Sequence, residues 1–137
     1  MATVGQRRPA RRARAGRLSR SADFDRVFRE GRSFATRYLV LHVFPRSATD
    51  EIAAEDGDDA APRLGVSVGR RVGGAVERNR VKRLLREAFR SIAPSLPAGH
   101  DFVLVARADA GELARARGEA AFEGELRQLA VEAGLAP

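Results

Sequence analysis

Apolar and polar positions follow two different periods along this chain, and each change of period marks an element. Between Val76 and Ile92 the residues Val81, Leu84, Leu85, Ala88, Phe89 and Ile92 recur at i, i+3, i+4, i+7, i+8 and i+11. That is one apolar stripe of an α-helix, which stops before Pro94. A shorter stripe, Phe24, Val27 and Phe28, follows Ser21 as a candidate N-cap. Asp23 and Asp25 suit the positive end of that helix and Gly31 ends it. The run Tyr38 to Phe44, closed by Pro45, is of β type, as is the alternating Leu64 to Val68. Ser33 to Thr36 is either a short strand of its own or an extension of the first run. Asp101 to Arg107 is almost continuously apolar, the mark of a buried central strand. Glu112 to Ala133 places Leu126, Leu129, Ala130 and Ala133 at helical spacing behind Phe122 and predicts a closing helix.

The predicted order is helix, strands, helix, strand, helix, a single small α/β (α+β) domain over residues 18–134. A hairpin followed by a strand–helix–strand crossover predicts a mixed, mainly antiparallel sheet whose crossover carries the long helix. Ser47 to Pro62 is acidic and rich in Ala, Asp and Gly, and reads as a flexible insertion within that hairpin. Residues 1–17 hold six arginines and no acid, and read as a disordered basic arm.

Charge changes the picture from fold to partner. The net charge is +7, but residues 1–46 carry +9 and residues 63–107 carry +7, offset by −6 in 47–62 and −3 in 108–137. The middle of the domain is therefore more cationic than the total suggests. All but one of the 25 basic residues are arginine, whose planar fork suits phosphate, although a GC-rich coding bias would give the same preference. On the long helix Asn79, Lys82, Arg83, Arg86 and Arg90 lie opposite the apolar stripe, flanked by Arg78 and Arg80. Such a face suits a polyanion, and a nucleic acid backbone has the right charge spacing. The glycine-rich loop Gly69 to Ala75 leads into this helix and presents Arg70 and Arg71.

Other chemistry is poorly supplied. Without cysteine there is neither a disulfide nor a thiolate metal site, and the two histidines, His42 and His100, are far apart. No histidine–carboxylate pair has catalytic spacing, and no protein metal ligand is named. No apolar run has the roughly 20 residues that cross a bilayer, and no apolar stretch of signal-peptide type follows the N-terminus. A cytoplasmic protein is expected.

The segments together resemble the protein component of bacterial ribonuclease P. The phrase Arg78-Asn79-Arg80-x-Lys82-Arg83-x-x-Arg86-x-x-Phe89 is similar to the family's arginine–asparagine–arginine signature. Arg17-Leu18 with Asp23-Phe24-x-x-Val27-Phe28-x-x-Gly31 resembles its N-terminal stretch. Arg63 to Val68 with Arg70-Arg71-Val72-Gly73-x-Ala75-Val76 resembles its second strand and loop, and Asp101 to Arg107 its last strand. The similarity spans about Arg17 to Leu129 in the right order.

The resemblance implies a subunit of a ribonucleoprotein endoribonuclease that removes the 5′ leader of precursor tRNA by hydrolysing a phosphodiester. In that family the catalytic centre belongs to a large RNA that holds the divalent metal, magnesium, and the protein alone is inactive. The implied partners are this catalytic RNA and precursor tRNA, with no membrane and no obligate protein partner. Arg70, Arg71, Arg78, Asn79, Arg80, Lys82, Arg83, Arg86 and Arg90 would face the RNA subunit. Arg78, near the stripe, could equally brace the fold, and Asn79 could cap the preceding loop. Phe24, Phe28, His42 and Ser67 would line a leader cleft between the first helix and the sheet. On the residues alone, Phe24 and Phe28 read first as core. His42 stands where the family often has a strand tyrosine, and Gly74 replaces a common asparagine. Two other functions stay open here: a ribosomal-type or general RNA chaperone, and a self-sufficient protein nuclease.

Overall fold

The structure is a computed structural model that describes residues 16–18, 21–45 and 61–135. Its elements run β1 (Gly16–Arg17), α1 (Ser21–Glu30), β2 (Arg32–Ala35), β3 (Leu39–Pro45), β4 (Arg63–Val68), α2 (Ala75–Ile92), a 3₁₀ turn (Ala93–Ser95), β5 (His100–Ala106), α3 (Ala110–Ala116) and α4 (Glu119–Glu132). The expected α+β class and the strand–helix–strand crossover are both present. Most of the basic arm (residues 1–15) and most of the acidic insertion (residues 47–60) lie outside the described residues.

The five strands are ordered β1-β4-β5-β3-β2. β3 runs antiparallel to both β2 and β5, while β4 runs parallel to β5 and to β1. This corrects the expected hairpin: β3 and β4 are not neighbours, because β5 lies between them. The segment joining them is a connection across a strand. The true hairpin is β2–β3, turned at Thr36, whose Oγ1 accepts from the Tyr38 and Leu39 amides, each at 3.2 Å. Gly16 and Arg17, expected in the arm, instead belong to the sheet through parallel pairing with Arg63 and Leu64.

Side chains alternate across the sheet, so each strand feeds two layers. Leu39, Leu41 and Val43 of β3, Leu64 and Val68 of β4, and Phe102, Leu104 and Ala106 of β5 face the main core with α2, α3 and α4. The α2 stripe is buried as its spacing predicts: Val81, Leu84, Leu85, Ala88, Phe89 and Ile92. On the other face a small cluster of Leu18, Val27 and Val103, joined by Phe24, Phe44 and Val105, seats α1. The expected single closing helix is two helices. Its corner is Gly118, whose φ of 75° is costly for any residue with a Cβ.

Candidate RNA interface and substrate cleft

The cationic face grows from the amphipathicity of α2. With its stripe buried against sheet, α3 and α4, the remaining side chains divide between two flanks and an outer ridge. Glu77 faces α3, where its carboxylate accepts from Arg115 at 2.7 Å. Ser91 faces α4, where Glu123 is held below the usual carboxylate range by hydrogen bonds from Arg127 and Ser91. The opposite flank carries Arg78, Lys82 and Arg86 in one i, i+4, i+8 row, all half-buried. Asn79, Arg80, Arg83 and Arg90 are exposed.

This row turns toward β1. Arg17 pairs in register with Leu64, whose side chain belongs to the α2 layer. Burial lowers the pKa of Arg86, and the like charge of Arg17 lowers it further. The Nε atoms of Arg78 and Arg86 are buried without a hydrogen-bond partner. Among the described residues, Arg78, Arg80, Lys82, Arg86 and Arg90 form no ion pair, and Arg83 reaches Glu87 only at 3.7 Å. Ion pairs elsewhere join Arg26 with Asp23, Arg37 with Asp109, Arg63 with Asp101, Arg115 with Glu77 and Arg127 with Glu123. The fold thus keeps its carboxylates off one cationic side.

The loop before α2 is held by Val72, which is buried in the main core, and by the bonds Val72 N–H to Gly69 O and Gly73 N–H to Arg70 O. Arg70 and Arg71 are both exposed in this turn. The cap of α2 is Gly74, not Asn79, and Asn79 makes no side-chain hydrogen bond among the described residues.

The cleft residues meet on the other face of the sheet. Phe24 lies directly over Gly65 of β4, where any Cβ would collide with its ring. Phe28, one turn later, is 43% exposed and meets the edge of His42 with ring centroids 4.8 Å apart. Burial lowers the His42 pKa, favouring the neutral imidazole. Beyond this row lies the next, Val40, Val105 and Ser67, paired in register through β5. Val40 and Val105 are half-buried and Ser67 is exposed, so they form a partly open floor beside the aromatic wall. The structure therefore brings Phe24, Phe28, His42 and Ser67 to one surface, on the face of the sheet opposite α2.

Sequence reasoning missed Arg17, Val40 and Val105. Arg17 was hidden because a two-residue parallel pairing has no periodic signal. The valines read as ordinary strand residues until β5 is known to lie between β3 and β4. Among the described residues no group of three or more His, Asp or Glu side chains is placed to hold a metal ion. A divalent metal therefore finds no protein donor set that fits it in this part of the chain. No helix among the described residues is long and apolar enough to cross a membrane.

A sequence model described as Ribonuclease P matches residues 13–130, most of the chain. The chain belongs to the ribonuclease P protein family. It is 45% identical over 96 residues to the ribonuclease P protein component of Natranaerobius thermophilus, covering 70% of this chain and 74% of that one. To the component from Shouchella clausii it is 36% identical over 119 residues, covering 87% and 89%. Among solved structures, the Staphylococcus aureus RNase P protein aligns with a TM-score of 0.70 at 27% identity, covering 90% of this chain and 99% of that one. The Thermotoga maritima RNase P protein aligns at 0.66 with 31% identity, covering 82% and 94%. Family membership makes the chain a protein component of the tRNA-processing ribonuclease, with an RNA subunit as its partner. It also favours this reading over a general RNA chaperone.

Proposed function

We propose that the protein binds the catalytic RNA through α2 and the Gly69–Gly74 loop, and holds the 5′ leader of precursor tRNA in the cleft between α1 and the sheet. Arg70, Arg71, Arg78, Asn79, Arg80, Lys82, Arg83, Arg86 and Arg90 face the RNA subunit. Phe28 offers an aromatic face and His42 an imidazole to unpaired leader bases, above Ser67 and the valine floor. Phosphodiester hydrolysis occurs in the RNA subunit, which holds the magnesium ions, and the protein acts with it in the cytoplasm. Substrate and catalyst are both polyanions. A protein with cations on one face and an aromatic cleft on the other lowers their repulsion and adds contacts to the leader.

The observation that carries this reading is the sorting of charge. Among the described residues, five cations of α2 lack an ion pair, whereas Asp23, Asp101, Asp109 and Glu123 outside α2 hold arginine partners. Reconstitution tests it. The protein alone leaves precursor tRNA intact, and with the cognate catalytic RNA it gives the mature 5′ end at a magnesium concentration where the RNA alone is slow. Cleavage by the purified protein without RNA would move the chemistry into the protein.

A further inference from the structure

The basic helix begins with an acid. Glu77 lies in its first turn, three residues before Arg80, a spacing at which a helix brings opposite charges together. Yet Glu77 does not bond to Arg80. One carboxylate oxygen rests against Gly73, and the other accepts from Arg115 of α3 at 2.7 Å. Arg80 is left exposed and without an ion pair among the described residues. Arg115 stands on the α3 side of α2, away from the Arg78, Lys82 and Arg86 row.

From this we infer that Arg115 is a positioning residue for the RNA interface. By holding Glu77 on the α3 side, it keeps that carboxylate from neutralising Arg80 and from repelling an approaching phosphate. The inference rests on the reading of α2 as the RNA-binding face. Both partners are substantially exposed, at 55% and 43% of the side chain, so the pair adds little to stability. Its consequence falls on the charge presented to RNA. Without Arg115 the cation at pairing distance along the helix from Glu77 is Arg80, three residues on, and forming that pair subtracts one unit charge from the interface.

The test is a double-mutant cycle read by binding of the cognate catalytic RNA transcript in magnesium buffer at low salt. Arg115→Ala is expected to weaken binding about two- to fivefold, the range open to one exposed charge pair. Glu77→Gln binds at least as tightly as the parent protein, and the variant carrying both changes binds like Glu77→Gln alone. Raising the salt shrinks the Arg115→Ala effect. The inference is overturned if Arg115→Ala changes nothing, or if its loss persists undiminished with Glu77→Gln, because Arg115 would then touch RNA itself. Thermal unfolding of each free variant separates a folding defect, which Glu77→Gln does not repair. Arg80→Ala separates this inference from the reading beneath it. If Arg80→Ala leaves RNA affinity unchanged, α2 is not the interface and both fail. If Arg80→Ala weakens binding while Arg115→Ala does not, only the role of Arg115 fails.

Discussion

Phe24 and Phe28 share one face of α1, but the surface beneath them gives them different duties. The Phe24 ring covers the bare backbone of Gly65, so removing it opens a gap between helix and sheet. Phe28 keeps 43% of its surface exposed, with the His42 ring at 4.8 Å and the Phe24 ring at 6.5 Å between centroids. Phe28→Ala should therefore cost about 1–3 kcal/mol of affinity for leader-bearing precursor tRNA, the worth of one stacked base. Mature tRNA and the unfolding temperature should change little. An equal loss on both RNAs, measured by titration, would remove Phe28 from leader recognition. His42 adds a pH dependence. Its folded pKa lies below the ordinary value of about 6.5, because burial disfavours the imidazolium. The unfolded chain takes up the proton first, so this contribution is complete above about pH 6.5 and fades as pH falls through the folded pKa. Relative to His42→Phe, the wild-type melting temperature should fall between about pH 7.5 and about pH 5. A constant difference would show that His42 is not desolvated. The two aromatics were legible as a stripe and, through the family resemblance, as a cleft wall. The role of Gly65 was not, since a strand's own sequence does not say which ring will lie on it.

The elements that could be read most fully were those whose pattern is internal. α2 declared its buried stripe, its cationic side and its stop before Pro94 from spacing alone, because 3.6-residue periodicity is a property of one segment. Pairing is a property of two. The alternation in β3 and β4 gave strands but not neighbours, and the insertion of β5 between them turned an expected hairpin into a crossing connection. A clue to this was the nearly unbroken apolar run of β5, which suits a strand with partners on both sides. The closing helix carried its own signal in Gly118, read as interior until the backbone shows it turning a corner. One contact secures the parallel pairing of β4 with β5. Asp101, fully buried on β5, receives two hydrogen bonds of 2.8 Å from its register partner Arg63 on β4. Arg63→Ala removes two donors from a carboxylate without access to water. The expected loss is about 1–3 kcal/mol of stability, seen as a lower urea midpoint with an unchanged slope. An unaltered midpoint would mean that backbone pairing and the packing of Phe24 on Gly65 hold β4 without this pair.

At the scale of the whole molecule, the proposed function rests on two faces of one sheet carrying different forces. In that proposal the α2 side works through charge, and the α1 side through rings and half-buried valines. Salt distinguishes them, because each phosphate neutralised releases counterions and makes affinity fall with ionic strength, whereas stacking does not. Arg80 and Arg83 are exposed on α2, and neither side chain is buried in the fold, so their replacement by alanine leaves the core intact. The variant carrying both changes should bind the catalytic RNA more weakly. The slope of log affinity against log salt should shrink by about one unit for each phosphate that is no longer neutralised. Arg83 has Glu87 at 3.7 Å, so its share should be the smaller of the two. Phe28→Ala should leave that slope where it was while weakening leader binding. The two variants together therefore form a crossed test: one moves salt dependence, the other leader dependence. If Phe28→Ala flattened the salt slope, or the arginine variant weakened binding by the same factor at every salt concentration, the assignment of the two faces would be wrong. Charge would then not be the force that seats this protein on its RNA.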